Sequence, residues 1–420
     1  MDAPGREHAT PAALYAIQGR RFASNSPGFA EAIANAHAER IRPRCLCKPE
    51  GIEMYVARLG EGFVVKRMPF TGSRHAPDCP SHELPADLSG LGQVLGSAIV
   101  EDPATGETTL KLDFPLSKMP GRCTTPAAGD GGDSVSASGT RLSLRGLLHY
   151  LWDQAELTRW KPGFAGKRNW ATVRKLLLQA AAHKATRGQA LAQRLYIPEV
   201  FSVEQRDALN ARRLAHWALA QAAPARPQPL MLLVGEVKEL VPARYGLRLV
   251  VKHLPDQAFA VDEPLYRRLG RRFEAELALW GATDALHLVT MATFSVHEAG
   301  VPALVEVTLM LTTGQWLPVE DSLEQQLLNK LVHEGRSFTK ALRYNVPSTA
   351  GHAGCILTDT GTGCCPLRIA HGLPDEPALG ELAGTHEPGA EPAWVWRPTA
   401  GGMPPLPPQA KASHPGHTMA

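Results

Sequence analysis

The sequence lacks the segments that would direct a chain into or across a membrane. Residues 1–30 carry charges and contain no continuous apolar core, so they do not have the pattern of a secretory signal. No uninterrupted apolar run reaches the roughly 18–20 residues that span a bilayer. We therefore expect a cytoplasmic protein with no membrane partner.

The chain is also poor in aromatic residues and in net charge. Aromatic residues make up 6% of its 420 residues, and the formal net charge is +3. Such a balance argues neither for nor against a nucleic-acid partner, which only local patches can indicate. Seven cysteines in a chain of this kind are better interpreted as metal ligands or inert thiols than as disulfides. Cys364 and Cys365 are adjacent and cannot easily share one site, so we interpret them as structural or incidental.

Several common catalytic signatures are missing. The sequence has no P-loop, no dinucleotide-binding glycine fingerprint and no G-x-S-x-G nucleophile elbow. Their absence excludes the commonest kinds of NTPase, dehydrogenase and hydrolase.

What the sequence contains divides into five regions of different pattern. High glycine and proline contents, 38 and 35 residues, indicate long loops and at least one unstructured segment. We predict an α+β protein with the following parts: an N-terminal region (1–118) that holds a zinc-stabilised β-hairpin module (45–79), a flexible linker (119–140), a central helical and locally basic region (141–225), a C-terminal α+β domain with an antiparallel sheet (229–370), and a disordered tail rich in proline and glycine (371–420).

The C-terminal α+β domain has the clearest pattern. Two runs rich in valine and leucine, 230–240 and 246–254, predict an antiparallel pair of strands. Asp262 can cap a helix that ends at Gly281, and two further strands precede a helix over 320–334. The order β-β-α-β-β-α predicts a mainly antiparallel sheet.

Four metal-ligating residues flank a predicted hairpin. Cys45 and Cys47 are two apart on an extended segment, so both side chains can face one ion. The spacing of His75 and Cys79 lets their side chains converge in a helical turn or a tight loop. Three thiolates and one imidazole form a closed tetrahedral set that is typical of structural zinc and leaves no position for a reactive water. We therefore predict Zn²⁺ as the cofactor.

A basic segment with interleaved tryptophans lies in the helical region. Residues 141–175 contain eight lysines or arginines against two acidic residues. Cations neutralise phosphates and indoles stack on unpaired bases, so this mixture favours DNA or RNA as a partner. Under the alternative interpretation, the tryptophans pack helices together and the cations only solvate the surface. The candidate nucleic-acid residues are Arg159, Trp160, Lys161, Lys167, Arg168 and Trp170.

Glu236 and Lys238 form an E-x-K pattern on a predicted strand. In nucleases of this pattern the acid holds Mg²⁺ and the lysine orients the attacking water. Such a site needs a second carboxylate, for which Glu199, Glu324 and Asp359 are distant candidates. The pattern also occurs in strands as a simple solvated alternation.

A series of motifs runs through the chain in one order. These are R-C-L-C (44–47), V-K-R-M-P-F-T-G, H-A-P-D-C, S-G-L-G-Q-V-L-G-S-A-I (89–99), L-R-G-L-L-H-Y-L-W (144–152), G-K-R-N-W (166–170), G-E-V-K-E (235–239) and K-A-L-R-Y-N (340–345). Over about residues 10–370 the chain resembles the bacterial family called domain of unknown function 1173. After L-T-D-T (357–360), the segment GTGCCPLRIAHG departs from the more apolar final strand of that family.

The resemblance implies no established activity. Members of the family are typical of integrative conjugative elements and genomic islands in proteobacteria, which implies a role in a mobile genetic element. Together with the residues above, it favours a zinc-binding, non-enzymatic protein whose partner is DNA or RNA. Two alternatives stay open: a metal-dependent nuclease that uses Glu236 and Lys238, and a protein-interaction scaffold in which the basic segment is only surface.

Overall fold

A computed structural model of the chain describes most of the predicted elements. The described residues are 13–59, 62–68, 71–76, 79–83, 88–103, 106–118, 139–220, 227–244, 246–297, 300–346, 353–361, 365–370 and 394–410. Most of the expected linker (119–138), Cys364, and the tail segments 371–393 and 411–420 lie outside them.

The first unit is a five-stranded antiparallel sheet with one helix packed on it. Its elements are β1 (Leu14–Ile17), β2 (Arg20–Ala23), α1 (Phe29–Ala38), β3 (Arg44–Cys45), β4 (Ile52–Leu59) and β5 (Gly62–Arg67). The strand order is β2-β1-β3-β4-β5, and β4 pairs with β5 in the hairpin that the sequence predicts. A small apolar core that includes Ile33, Ile52 and Met54 holds the helix against the sheet.

The next part of the chain combines helices with short strands. Its elements are β6 (Ile99–Glu101), β7 (Thr108–Leu110), β8 (Ser117–Lys118), α2 (Leu144–Gln154), β9 (Arg159–Trp160), α3 (Trp170–Ala181), β10 (Lys184–Thr186), β11 (Gln189–Ala190), α4 (Leu191–Arg194), β12 (Leu195–Tyr196) and α5 (Arg206–Trp217). Ser143 and Asn169 cap α2 and α3, because their side chains accept hydrogen bonds from the amides of Gly146 and Thr172. Strands β11, β10, β7 and β6 form a separate sheet in that order.

The C-terminal region contains the predicted strands and helices, together with further short strands, among them Ala258–Val261, that the sequence pattern does not predict. Its elements are β13 (Gln228–Pro229), β14 (Met231–Ala243), β15 (Gly246–Val251), β16 (Ala258–Val261), α6 (Glu263–Arg272), α7 (Glu274–Gly281), β17 (Leu286–Val296), β18 (Pro302–Thr313), β19 (Pro318–Val319) and α8 (Ser322–His333). Strand β12 and strands β14 to β19 form one seven-stranded sheet in the order β12-β14-β15-β16-β18-β17, with β19 paired to β18, whereas β13 pairs with β8. β14 and β15 form the predicted antiparallel pair, and β14–β17 and β17–β18 are antiparallel as well, whereas β12–β14 and β16–β18 are parallel. Asp262 caps α6 through a 2.9 Å bond from the Leu265 amide, but the expected single helix breaks at Phe273.

A last sheet includes residues that the sequence assigns to a disordered tail. Its strands are β20 (Phe338–Lys340), β21 (Cys355–Leu357), β22 (Cys365–Ile369) and β23 (Trp394–Trp396), in the order β23-β22-β21-β20-β9. Trp394 and Trp396 are buried, and the Trp394 indole donates to the Pro405 carbonyl at 2.9 Å. The prediction of disorder is therefore wrong for residues 394–410.

Both faces of the long sheet are covered. Leu147 of α2 and Val173 of α3 share one core with Val234 and Met291 of the sheet. The opposite face packs against α6, α8 and Trp217. The first half of β14, Met231–Val237, is buried on both faces, which explains its near-continuous apolar run, whereas the second half is partly exposed. The boundary predicted between 141–225 and 229–370 consequently does not separate two cores. None of the helices that the structure describes has both the length and the apolar composition needed to traverse a bilayer.

Candidate metal centre

Strand β3 and the loop that follows β5 bring four metal-ligating side chains together. Cys45 ends β3 and Cys47 follows it, while His75 and Cys79 come after a short 3₁₀ turn, Gly72–Arg74. The hairpin β4–β5 carries the chain out and back, so both pairs meet. The four possible ligand atoms all lie within 4.8 Å of one another.

The spacing of these atoms fits a tetrahedral ion. The Sγ atoms of Cys45 and Cys79 are 3.7 Å apart, and His75 Nδ1 lies 3.4 Å from Cys47 Sγ and 3.7 Å from Cys79 Sγ. Bonds of about 2.3 Å to sulfur and about 2.0 Å to nitrogen would set sulfur atoms about 3.8 Å apart, and sulfur about 3.5 Å from nitrogen. The cluster can therefore accept such an ion with little rearrangement.

Backbone amides support two of the sulfur atoms. The Ala76 amide donates to Cys47 Sγ at 3.5 Å, and the Ser81 amide donates to Cys79 Sγ at 3.4 Å. Amide donors favour the thiolate, which is the form that binds a metal. Cys45, His75 and Cys79 are buried, whereas Cys47 is half-buried and lies on the more accessible side of the cluster.

Without an ion, the three thiols do not share negative charge equally. The hydrogen bond from Cys45 lowers the pKa of Cys79 to about 4. The same hydrogen bond, together with burial, raises the pKa of Cys45, and burial raises the pKa of Cys47. One thiolate is thus already favoured, and a bound cation would displace protons from the other two.

Two arginines attach the loop that carries His75 and Cys79 to its surroundings. Arg159 of β9 donates to the Pro80 carbonyl at 2.6 Å and to the His82 carbonyl. Arg67 of β5 forms a 2.6 Å ion pair with Glu83. The loop therefore joins the first sheet to the helical part of the molecule, and Arg159 has a structural role that the sequence pattern does not show.

The tryptophans of the basic segment are not available to nucleic-acid bases. Trp160 and Trp170 are 1% and 4% exposed, and Trp152 is fully buried. The Trp170 indole donates to the Pro198 carbonyl at 2.9 Å. Stacking on bases was the predicted role of these indoles, and that prediction is wrong because the rings fill the core.

The four candidate cations differ in their surroundings. Arg168 donates to the carbonyls of Leu157 at 2.9 Å and of Gln315 at 3.3 Å, so it is used within the fold, as is Arg159. Lys161 is half-buried and Lys167 is exposed. Of the cations predicted to contact nucleic acid, these two lysines are the ones whose charged groups are not used to bind the fold together and remain accessible to solvent.

The E-x-K pattern does not assemble the expected site. Glu236 is buried and its Oε1 accepts hydrogen bonds from His287 Nδ1 at 2.7 Å and from Lys252 Nζ. Lys238 is exposed, and the β14–β15 register shifts at this point, as in a β-bulge. Burial raises the pKa of Glu236, but the bonds from His287 and Lys252 outweigh it and hold the pKa below its ordinary value.

No second carboxylate joins Glu236 among the residues described. The three candidate partners form ion pairs elsewhere: Glu199 with Arg212, Asp359 with Arg336, and Glu324 with Lys340. In the described part of the chain, the Cys/His cluster is the only group of three or more side chains with metal-ligand geometry. The arrangement thus gives no support to a magnesium-dependent nuclease.

Sequence reasoning missed the contact between Glu236 and His287. The two residues lie on neighbouring strands, β14 and β17, and the His287 ring stacks on Trp316 with centroids 4.2 Å apart. The carboxylate orients the imidazole through Nδ1, as in many carboxylate–histidine pairs. No local motif marks this pair, because only strand pairing brings it together.

Comparison with known families shows the family to which the chain is similar. A family profile described as "Protein of unknown function (DUF1173)" matches residues 15–399. The chain belongs to the DUF1173 family. The DUF1173 match includes the Cys/His cluster and extends past residue 370 as far as β23, beyond the part in which the sequence motifs were recognised. No curated protein and no solved structure matched the chain.

Proposed function

We propose that Cys45, Cys47, His75 and Cys79 bind one structural Zn²⁺ ion. The observation that carries this proposal is the closed set of three sulfurs and one nitrogen at tetrahedral spacing. Soft thiolates with one imidazole in this geometry favour zinc over harder cations such as Mg²⁺ and Ca²⁺. Four protein ligands leave no position for substrate, so the ion stabilises the fold and performs no reaction.

The ion would act as a cross-link within a small unit. The core of the first sheet contains few large side chains, and Cys45 and Cys79 are part of it. Small domains with little buried apolar surface commonly depend on a metal. Zinc would join β3 to the loop that Arg159 and Arg67 hold against the rest of the molecule.

Metal analysis of the purified full-length chain tests this proposal. We expect about one equivalent of zinc in the wild type and less than half in Cys47→Ser, with a lower unfolding temperature for the variant. Cys365→Ser, on β22 and outside the cluster, is the matched control and should keep its zinc. Less than half an equivalent of zinc in the wild type, or unchanged zinc content and stability in Cys47→Ser, would contradict the proposal.

We also propose that the protein binds DNA or RNA through lysines of the basic segment whose side chains are partly or fully accessible to solvent. The lysines are Lys161 and Lys167, which precede α3, and Lys175, which is exposed on α3. Among the described residues, none of the three forms an ion pair with a carboxylate. With the tryptophans buried, contact would be made to phosphates and would show little sequence preference.

Salt dependence distinguishes this partner from a protein-interaction scaffold. We expect oligonucleotide binding at low salt that weakens steeply as salt rises, and that weakens further when the three lysines are changed to methionine. The absence of binding at low salt would contradict the proposal and favour the scaffold.

A further part of the proposed function concerns the compartment of the protein and the genetic element that encodes it. We propose that the protein is cytoplasmic and non-enzymatic and, from the family resemblance, that it is encoded by a mobile genetic element. Fractionation of cells that express the full-length chain tests the compartment, and recovery in the membrane or secreted fraction would contradict it.

A further inference from the structure

A cavity of about 460 Å³ lies between the first sheet and the helical part of the chain. Lys66 of β5, residues at the end of α2 and residues of α3 line the cavity. This volume lies within the range of cavities that bind small molecules. The cavity is separate from the Cys/His cluster and from the Glu236–His287 pair.

The charges around the cavity are mostly positive. Lys66, Lys167, Arg168 and Lys184 line it, and Glu156 is the one carboxylate among the described lining residues. Glu156 already lies 3.6 Å from Arg159, outside the lining. Among the residues described, neither Lys66 nor Lys184 forms an ion pair with a carboxylate, so the cavity has an excess of positive charge.

Of these cations, Lys184 gives the strongest indication of an anion site, because it is buried among neutral groups. Its Nζ donates to Thr108 Oγ1 at 3.2 Å and to Gln154 Oε1 at 3.4 Å, and it lies 5.1 Å from the centre of the Tyr150 ring. Burial, followed by repulsion from Lys66, lowers the pKa of Lys184 to about 7, although the negative charge of Glu101 opposes the change. An anion in the cavity would favour the charged amine.

The remaining wall is largely apolar. Leu176 and Ala180 lie on the face of α3 that also presents Thr172 and Gln179, and Phe164 completes the surface. Residues spaced in this way share one side of a helix. The cavity thus places cationic groups beside an apolar surface, an arrangement suited to a ligand with one acidic and one apolar end.

We propose that this cavity binds a small organic phosphate. Its phosphate group would contact Lys66 and Lys184, and its apolar body would pack on Phe164 and Leu176. Lysine is a common ligand of phosphate, and two amines can share the charge of a phosphate dianion. Lys167 lines the cavity and is also one of the lysines proposed to contact nucleic acid. The two proposals can still fail separately, because the proposed phosphate contacts, Lys66 and Lys184, lie outside the basic segment 141–175.

Calorimetry on the zinc-loaded full-length chain tests the proposal with 1-naphthyl phosphate as the probe. We expect it to bind at least about tenfold more tightly than inorganic phosphate or 1-naphthol, since each of these carries only one of the two features. Lys184→Met and Lys66→Met should each weaken binding of the probe by about tenfold or more. Leu176→Trp, which fills the apolar side, should weaken it as well.

Lys111→Met is the matched control, because Lys111 is exposed and lies outside the cavity lining. If Lys184→Met fails to fold, Lys66→Met decides the result. Equal affinity for the probe in wild type and Lys66→Met would overturn the proposal, as would the absence of probe binding at millimolar concentration. Equal affinity for inorganic phosphate and the probe would also overturn it, because the apolar surface would then have no part in recognition.

Discussion

At the scale of single residues, this protein buries several charges in surroundings of different kinds. Lys340 and Glu324 are both buried and form a 2.9 Å ion pair, so each offsets part of the desolvation of the other. Lys184 is as deeply buried but contacts only neutral hydrogen-bond acceptors and an aromatic ring. Because burying the charged amine is unfavourable, we expect Lys184 to make the free energy of unfolding depend on pH.

Lys184→Met should flatten the rise in stability above neutral pH. The pKa of Lys184 is lowered to about 7 in the folded chain, against an ordinary value of 10.5. Between these values the unfolded chain binds more protons, so stability rises with pH by at most about 1.4 kcal/mol per unit from this group. Urea unfolding at pH 7, 8 and 9 measures the slope.

The control for this comparison is Lys111→Met, which should keep the slope of the wild type because its side chain is exposed. Parallel curves for the wild type and Lys184→Met would show that the buried amine does not titrate in this range.

At the scale of elements, irregular segments place the side chains that matter most. At the β-bulge, the Lys238 side chain lies in solvent while Glu236 is buried, although residues two apart on a regular strand share one face. Phe273 is buried where α6 gives way to α7, which turns one predicted helix into two. Such irregularities arise from packing against distant strands and helices.

A short turn shows how closely elements approach. The 3₁₀ turn Gly90–Gln93 begins against the backbone of residues 342–343, where the Gly90 amide donates to the Leu342 carbonyl at 3.0 Å. A Cβ at Gly90 would lie 1.9 Å from the Arg343 carbonyl oxygen. Only glycine allows this contact.

Gly90→Ala should therefore destabilise the protein by about 1–3 kcal/mol or more, because backbone must move to admit the methyl group. Gly163→Ala is the matched control, since a Cβ there meets no atom within 4 Å. Thermal unfolding of both variants measures the difference. A Gly90→Ala protein as stable as Gly163→Ala would show that the turn can move away at little cost.

At the scale of the whole molecule, segments far apart in sequence complete each other's sheets and cores. Strand β9 of the helical region joins β20, and β23 extends the same sheet at its other edge. The proline-rich segment after β23 is tied down as well, since Arg336 donates to the Pro407 carbonyl at 2.7 Å. The end of the described chain is thus part of the core.

Trp396→Ala should lower the free energy of unfolding by about 3–5 kcal/mol, the usual cost of removing a buried indole. Trp396 belongs to the large core that includes α6 and α8, and it is 5% exposed. Arg397→Ala, at the neighbouring exposed position, should change stability little. Denaturant unfolding compares the two, and a Trp396→Ala protein within about 0.5 kcal/mol of the wild type would contradict the role of β23.

The sequence by itself determined the features whose signals are local. The spacing of Cys45, Cys47, His75 and Cys79 around a hairpin was enough to predict that they meet, because strand alternation and a turn define their positions. The antiparallel pair β14–β15 and the cap at Asp262 were likewise evident from local patterns, whereas the short strand β16 between them was not.

Only the tertiary structure decided which distant groups meet. A tryptophan beside lysines has the same local pattern whether it faces solvent or, like Trp160, fills a core. Glu236 contacts His287 on another strand, and β23 pairs with the edge of a sheet although the residues around it are rich in proline. These outcomes depend on long-range pairing and burial, which local periodicity does not encode.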